Sequence, residues 1–433
     1  MMNRFSTFLG RYEGPVNGVL HSLDQKHFSE RLWARDATLW KTDPEIQNKI
    51  KDRLGWLTVT GAMADQADEI MEFAQSVREA GFTHVVLLGM GGSSLCPEVF
   101  RTTFGVAKGY PDLIVLDTTD PATILNVEKR LDLTRTLFIV ASKSGTTIEV
   151  DSLYCYFYEK LKAIKQDLIG GHFIAITDPG TPLDRLAKRE RFRRLFINPP
   201  DIGGRYSALS WFGLVPAALI GMDVRLFLGR AEEMVQATVS CIPPEDNPGI
   251  KLGAILGLLG SEGRDKVTLI IAPAIRSFGL WVEQLIAEST GKEGKGLVPI
   301  VDEDIGIPAL YRDDRLFIYL SAGSSHDRTL DRKVQALEQS GHPIVQIQLR
   351  DPMDLAGEFF CWELATAAAG LILGINPFDE PNVSESKENT RKILDEFQAT
   401  GQMPLQREII EEEGIRLYGD PKTLQDGSVK KTF

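Results

Sequence analysis

Short apolar runs that alternate with helix-length segments constrain the fold of this 433-residue chain more than any other feature. Each run is four to seven residues long, which suits a buried strand and is too short for a helix. Strands that alternate with helices form parallel sheets with helices on both faces. A first set of runs occupies 84–90, 112–117, 137–141, 173–177 and 195–198, and a second set occupies 267–272, 297–301, 316–321 and 344–349.

The two sets of runs predict two α/β domains in tandem. We place the join between 204 and 247, because Pro216 and the pair Pro243-Pro244 interrupt the pattern there. The expected parts are a helical N-terminal segment over 1–60, α/β domains over 61–225 and 226–375, and a C-terminal helical arm and tail over 376–433.

Both ends of the chain carry their own signals. The N-terminal segment is polar, with Trp33, Trp40 and Trp56 as the expected points where it docks onto the rest. After Pro381 the chain becomes strongly charged, with a helix predicted over about 387–400. The sequence leaves the role of residues 402–433 open.

Charge and composition exclude several classes of partner. The net charge of −12 argues against nucleic acid and against an anionic membrane surface. The N-terminus lacks the apolar stretch of a signal peptide, and the weakly polar runs 211–222 and 364–375 are too short to span a bilayer. The four cysteines show no paired spacing, so neither a disulfide framework nor a zinc site is expected. A cytoplasmic protein fits these features best.

A loop rich in hydroxyl groups, residues 142–149, follows the third apolar run and precedes a helical pattern. Backbone N–H groups and the helix dipole stabilise an anion at such a position. An ordinary N-cap needs only one hydroxyl residue, so we favour phosphate binding over a plain cap. The hydroxyl residues of this hydroxyl loop are Ser142, Ser144, Thr146 and Thr147, and Lys143 adds a positive charge.

A glycine loop, residues 89–94, follows the first apolar run. Gly91 and Gly92 would let the backbone approach a ligand closely, and Ser93 adds a donor. It is not the dinucleotide fingerprint, because Ser94 stands where a third glycine is required. Adjacent parallel strands would place this loop and the hydroxyl loop around one anion.

Two further residues could take part in chemistry. Arg205 follows two glycines and is either a surface arginine in a turn or a cation that stabilises negative charge developing on oxygen. Residues 281–292 predict a helix ending near Gly291, which puts Gln284 and Glu288 on one face, one turn apart. Glu288 is either a general base or an ordinary surface glutamate.

Together these segments resemble the phosphoglucose (glucose-6-phosphate) isomerase family. Segments 201–210 and 284–292 are similar to its two signature segments, and 89–97, 142–149 and 376–381 with Lys387 resemble its other site segments, in the same order. The resemblance is closest to the isomerase half of bifunctional transaldolase/phosphoglucose isomerase proteins, without the transaldolase barrel. It implies two sugar-isomerase (SIS-type) domains with parallel sheets flanked by helices, a C-terminal arm and a homodimer.

The resemblance also implies an activity, the interconversion of glucose 6-phosphate and fructose 6-phosphate through a cis-enediol, without metal or cofactor. Glu288 would be the base that moves a proton between C2 and C1, Arg205 would stabilise the enediolate, and Lys387 would assist ring opening. A carboxylate and an arginine are both needed, because the proton beside a carbonyl becomes acidic enough only when the enediolate charge is neutralised. The sugar phosphate would be held by Ser142, Ser144 and Thr147, with Lys143, Gly92, Ser93 and Gln284 nearby.

The sequence departs from the family pattern in places. Cys96 replaces a usual glycine, and Glu380 stands where many members have glutamine. No histidine lies at the usual ring-opening position, about 30 residues beyond Glu288; His326 is the candidate and His342 the alternative.

Two other functions stay open at this stage. One is a broader isomerase that also accepts mannose 6-phosphate, suggested by Thr290 next to the base. The other is a non-catalytic SIS-type protein that binds a sugar phosphate and regulates a partner. Retention of Glu288 and Lys387 argues against the regulator, since binding alone requires neither a base nor a ring-opening acid. The sequence also does not tell whether the chain is related to, or part of, a larger transaldolase fusion.

Overall fold

The computed structural model describes residues 4–165, 169–323, 327–403, 408–412 and 414–419. The chain forms two compact units, Met1–Asp379 and Glu380–Phe433. The strands of the larger unit are β1 (Arg4–Phe8), β2 (His84–Gly89), β3 (Asp112–Leu116), β4 (Thr136–Ala141), β5 (Phe173–Thr177), β6 (Arg194–Ile197), β7 (Lys266–Ile271), β8 (Val298–Ile300), β9 (Arg315–Ala322) and β10 (Ile344–Leu349). Its α-helices are α1 (Glu13–Gln25), α2 (Phe28–Trp33), α3 (Pro44–Lys51), α4 (Trp56–Ala64), α5 (Ala67–Glu79), α6 (Leu95–Phe104), α7 (Pro121–Glu128), α8 (Ile148–Ile164), α9 (Pro182–Arg189), α10 (Trp211–Leu219), α11 (Val224–Gln236), α12 (Pro248–Ser261), α13 (Phe278–Thr290), α14 (Arg328–Gln339) and α15 (Leu355–Leu373).

Two five-stranded sheets organise the larger unit. The first has the order β3-β2-β4-β5-β6 with all pairs parallel, and the second has the order β1-β10-β9-β7-β8, in which β7 to β10 are parallel. Every residue of β4 and of β5 is buried, because helices cover both faces of the first sheet. All nine predicted strands are confirmed, with ends within one or two residues of those predicted.

The N-terminal segment, predicted to be helical, begins with a strand instead. β1 pairs antiparallel with β10 at the edge of the second sheet, with Phe5 opposite Ile347. A five-residue strand gives little periodicity, and its partner lies more than 300 residues away in the sequence. Local pattern therefore could not reveal this pairing.

The three tryptophans dock the N-terminal segment as predicted. The indole N–H of Trp33 donates to the Thr238 carbonyl at 2.8 Å, and that of Trp40 donates to the Ala367 carbonyl at 2.9 Å. Trp56 is fully buried, and its ring lies 5.7 Å from that of Tyr206. Through Trp56, the N-terminal segment is thus anchored beside Tyr206, the residue that follows Arg205.

Two buried helices differ in detail from their prediction. Pro216 was expected to interrupt the pattern, but it lies inside α10, all of whose residues are buried. The apolar run 364–375 belongs to α15, which starts nine residues earlier at Leu355. With its preceding turn, segment 352–373 is long and apolar enough to cross a membrane, yet 89% of its apolar window is buried inside the protein. It forms the core of the larger unit.

The smaller unit contains the helix α16 (Pro381–Thr400) and an antiparallel hairpin of β11 (Glu408–Glu412) and β12 (Ile415–Tyr418). The helix begins earlier than predicted, with Pro381 in its first turn, a position that tolerates a missing N–H. The hairpin was not predicted. It lies in a region whose charged sequence shows no alternation of apolar and polar residues strong enough to indicate strands.

Candidate active site

The glycine loop and the hydroxyl loop begin side by side. β2 and β4 are parallel neighbours, and Gly89 at the end of one pairs with Ala141 at the end of the other. Both loops therefore leave the same edge of the first sheet, as predicted. The carboxyl edge of a parallel sheet is where ligands bind in open α/β folds.

The hydroxyl loop is ordered by its own side chains. Ser142 is buried; its Oγ lies 2.9 Å from Thr147 Oγ1 and accepts from the Gly145 N–H at 3.1 Å. Gly145 has φ +62°, a conformation that favours glycine. Thr147 occupies the N-cap of α8 without a capping bond from its own side chain. These residues turn the chain from strand to helix, and a cavity of about 230 Å³ lies beside Ser142, Gly145 and Thr147.

The glycine loop packs tightly against the chain that carries Arg205. A Cβ atom at Gly92 would lie 2.2 Å from the backbone oxygen of Gly204, and one at Gly91 would lie 2.6 Å from Gln284 Nε2. Only hydrogen fits at Gly92, because the neighbouring atom belongs to backbone. The two glycines thus allow the glycine loop to approach the Gly204 loop and α13. The sequence had suggested that these glycines bring the backbone close to a ligand.

Gly92→Ala is expected to separate these two loops. We expect a loss of about 1–3 kcal/mol in the free energy of unfolding, typical of an overpacked site, together with reduced activity. Chemical denaturation measures the first effect. Gly18→Ala is the control, because a Cβ there meets nothing within 4 Å in α1. Equal stability of the Gly92→Ala and Gly18→Ala variants would contradict the close approach.

Arg205 is buried and held by groups from distant parts of the chain. Its Nε donates to Ser289 Oγ at 2.7 Å, and its Nη2 donates to the carbonyls of Pro377 and Asp379 at 2.9 and 2.8 Å. Its side chain is only 2% exposed, so the interpretation as a surface arginine is wrong. These three hydrogen bonds fix the orientation of the buried guanidinium plane.

Glu288 lies beside this guanidinium, in the last turn of α13 as predicted. Glu288 Oε2 is 3.5 Å from Arg205 Nη1, and Glu288 Oε1 accepts from Gln284 Nε2 at 2.8 Å. The carboxylate is 30% exposed, so it is held from two sides and still reachable by a ligand. The predicted sharing of one helix face by Gln284 and Glu288 is confirmed.

Several supporting residues were not assigned a role from the sequence. Tyr206 donates to the Pro377 carbonyl at 3.2 Å, and burial raises the pKa of its phenol. Lys292 is buried and donates to both the backbone carbonyl and the side chain of Asp379, at 2.6 and 2.5 Å. Ser289 and Lys292 lie close to Glu288 in the sequence, which is the one signal that could have identified them.

A family comparison identifies the chain. The family model described as phosphoglucose isomerase matches residues 58–303, more than half of the sequence. The chain belongs to the phosphoglucose isomerase family. The matched region includes the glycine loop, the hydroxyl loop, Arg205 and Glu288.

Similar proteins span most of the chain. A glucose-6-phosphate isomerase from Rubrobacter xylanophilus is 29% identical over 427 residues, covering 87% of this chain and 94% of the relative. A second, from Carboxydothermus hydrogenoformans, is 28% identical over 440 residues, with coverages of 87% and 93%. A probable glucose-6-phosphate isomerase from Methanococcus maripaludis is 25% identical, with coverages of 80% and 86%.

Solved structures share the fold. A hypothetical protein from Thermus thermophilus superposes with a TM-score of 0.77 at 24% identity, covering 91% of this chain and 100% of the other. A glucose-6-phosphate isomerase from Chlamydia trachomatis gives a TM-score of 0.72 at 20% identity, with coverages of 91% and 88%. The prediction of an α/β fold with two parallel sheets is therefore confirmed at the level of architecture.

The three residues predicted to assist ring opening lie in different parts of this phosphoglucose isomerase family member. Lys387 lies on α16 of the smaller unit with an exposed side chain, and His326 lies outside the described residues. His342 is buried and packs against Tyr311 and Phe317, as expected of a structural histidine.

Cys96 is a packing residue, and the described part of the chain holds no cluster of metal-ligating side chains. Cys96 is fully buried, with its Sγ 3.7 Å from the Ala208 carbonyl, in keeping with a packing role. Within the described residues, no group of three or more His, Cys, Asp and Glu side chains could hold a metal ion.

Proposed function

We propose that this chain interconverts glucose 6-phosphate and fructose 6-phosphate through a cis-enediol intermediate. The observation that carries the proposal is the pairing of Glu288 with Arg205. A partly exposed carboxylate lies 3.5 Å from a buried guanidinium, and the glycine loop packs against the neighbouring Gln284 and Gly204. A proton acceptor and a fixed positive charge in one place are what an enediol reaction requires. The glucose-6-phosphate isomerases related to the chain over most of its length support the same reaction.

In the proposed reaction, Glu288 removes the C2 proton of the open-chain aldose. The electrons of the broken C–H bond form the C1–C2 double bond, and the C1 carbonyl oxygen gains negative charge. Arg205 stabilises that charge, because its guanidinium is already oriented by Ser289 and two carbonyls. Glu288 then returns the proton to C1, and the transfer of the hydroxyl proton from O2 to O1 leaves the ketose.

The hydroxyl loop would hold the phosphate. Its hydroxyl groups and the first-turn N–H groups of α8 offer several donors to three phosphate oxygens. Ser144 is exposed and Thr147 is half-buried, so both hydroxyls are within reach of a ligand. Lys143, Gly92, Ser93 and Gln284 complete the proposed binding surface.

Replacing Ser144 and Thr147 together with alanine is expected to raise KM for fructose 6-phosphate at least about tenfold, with kcat nearly unchanged. The variant removes donors that bind the non-reacting phosphate and leaves Glu288 and Arg205 intact. Steady-state kinetics measure the effect. Thr123→Ala, which removes a hydroxyl bound to Asp120 at the start of α7, is the matched control. An unaltered KM in the double variant would mean that the phosphate binds elsewhere.

The broader isomerase finds less support than it did from sequence. Thr290 is buried; its hydroxyl donates to the Ile286 carbonyl at 2.8 Å and accepts from the Leu297 N–H at 2.9 Å. Both hydrogen-bonding roles of the hydroxyl are therefore used inside the protein, which argues against an effect on the sugar at C2. The non-catalytic regulator would not need the Glu288–Arg205 pair.

We also propose a ring-opening step and a homodimeric assembly. Lys387 would assist ring opening, His326 is the candidate acid, and the chain would act as a cytoplasmic homodimer. The resemblance to the family supports the role of Lys387 and the homodimer, and Lys387→Ala would test the first.

Coupled turnover of fructose 6-phosphate by the purified chain tests the function, with mannose 6-phosphate assayed in parallel. Production of glucose 6-phosphate without turnover of mannose 6-phosphate is the expected result. Turnover of mannose 6-phosphate at a similar rate would favour the broader isomerase, and binding without turnover would favour the regulator.

A further inference from the structure

A lysine of the hydroxyl loop is paired with an aspartate that directly follows the neighbouring strand. Lys143 lies two residues after β4, and Asp178 directly follows β5, the next strand in the sheet. Lys143 Nζ forms an ion pair with Asp178 Oδ2 and donates to the Pro200 carbonyl at 3.1 Å. The side chains are 23% and 13% exposed, so the pair is largely sheltered from water.

Asp178 holds Lys143 at its backbone as well as at its ammonium. The Asp178 N–H donates to the Lys143 carbonyl at 3.2 Å, and Thr177 Oγ1 donates to the same carbonyl at 3.3 Å. The preceding residue, Ser142, donates its N–H to the Ile176 carbonyl at 3.1 Å. The end of β5 therefore fixes both the path of the hydroxyl loop and the direction of its lysine.

From this geometry we infer that Asp178 is a positioning residue for phosphate binding. An ammonium group has three N–H donors, and the Asp178 carboxylate and the Pro200 carbonyl take two of them. The third remains for an oxygen of the ligand. A lysine held in this way loses less side-chain entropy on binding than a mobile one.

Burial and charge agree with this role. Burial raises the pKa of the Asp178 carboxyl, and the hydrogen bond from Lys143 only partly offsets that effect. Lys143 makes the largest stabilising contribution to this carboxylate, with smaller ones from Arg53 and Asn198, and the carboxylate in turn fixes the position of the lysine. A second effect acts in the opposite direction, since the Asp178 charge repels a phosphate. Positioning is expected to dominate, because the Asp178 carboxylate holds the ammonium directly while the phosphate would lie on the far side of that ammonium.

The inference rests on the proposed function and is tested so that the two can fail separately. Asp178→Asn keeps the shape of the side chain and the backbone N–H but removes the charge. We expect KM for fructose 6-phosphate and the inhibition constant for inorganic phosphate to rise together, by about three- to tenfold, with kcat within about twofold of wild type. Asp178→Glu should recover part of the loss.

Asp184→Asn is the matched control. Asp184 is also buried and paired with a lysine, Lys188 at 2.6 Å, but that lysine lies on α9 outside the hydroxyl loop. Its substitution should leave both constants unchanged, even if it lowers stability. A purely structural role for Asp178 would lower stability and kcat without a matched rise in KM and the phosphate constant.

Calorimetric binding of inorganic phosphate to the full-length wild-type and Asp178→Asn proteins separates the two hypotheses. Weaker phosphate binding by the variant supports the positioning role, whether or not the wild type turns over sugar phosphate. Unchanged or tighter binding overturns it, even in an active isomerase. A wild type that binds phosphate but does not isomerise fructose 6-phosphate would refute the proposed function and leave the role of Asp178 intact.

Discussion

Glu288→Gln is expected to lower kcat at least about 100-fold while KM changes less than about threefold. The amide has nearly the same shape as the carboxylate and can still accept from Gln284 Nε2, so the site should keep its geometry. It cannot accept a proton from carbon, so the chemical step should fail. Steady-state kinetics with fructose 6-phosphate measure both constants.

Glu283→Gln is the control for this prediction. Glu283 lies on the same helix, but its side chain is exposed and faces away from Gln284 and Glu288. The Glu283→Gln variant loses the same negative charge without changing the site, and its kcat and KM should match those of the wild type. A Glu288→Gln variant that retains most of its turnover would show that another group is the base.

Arg205→Lys is expected to lower kcat/KM by about 10²- to 10³-fold, the range seen when a donor to a developing oxyanion is lost. Lysine keeps the charge but lacks the planar set of donors that reaches Ser289 and the carbonyls of Pro377 and Asp379 together. Each buried acceptor left without a donor costs about 1–3 kcal/mol. Stability and catalysis should therefore both decline.

A second arginine provides the comparison for Arg205. Arg276 is 60% exposed and paired with Asp302 at 2.6 Å, so Arg276→Lys keeps the charge without burying an unmatched group. Its stability and kcat/KM should remain those of the wild type. Near-wild-type kinetics for Arg205→Lys would mean that the enediolate charge is stabilised elsewhere.

The sheets could be predicted because their strands are buried on both faces. Such strands appear as short continuous apolar runs, and helices of ordinary length separate them along the chain. Strand β1 was not predicted, because its pairing with β10 depends on residues more than 300 positions apart. Pro216 was wrongly expected to interrupt the pattern. The tertiary packing around the buried helix α10 outweighs the local cost of a proline inside it.

The site was predictable where function resides in one local segment. Glu288 and Gln284 share a face because of helix geometry, and the composition of the hydroxyl loop is the basis for the proposed phosphate binding. The contacts that hold Arg205 are different, because Ser289 and Asp379 approach it from other parts of the chain. The pairing of Asp178 with Lys143 could not be predicted either, because only the order of the strands in the sheet brings these two residues together.

Isomerisation of fructose 6-phosphate in D₂O, followed by NMR of the glucose 6-phosphate formed, tests whether Glu288 is the base of an enediol reaction. An enediol route that uses Glu288 as a base exposes the transferred proton to solvent exchange, so the product should carry deuterium at C2. The Glu288→Gln variant should give neither product nor exchange. Formation of product by the variant, or rapid exchange by the variant, would contradict the assignment of Glu288 as the base of an enediol reaction.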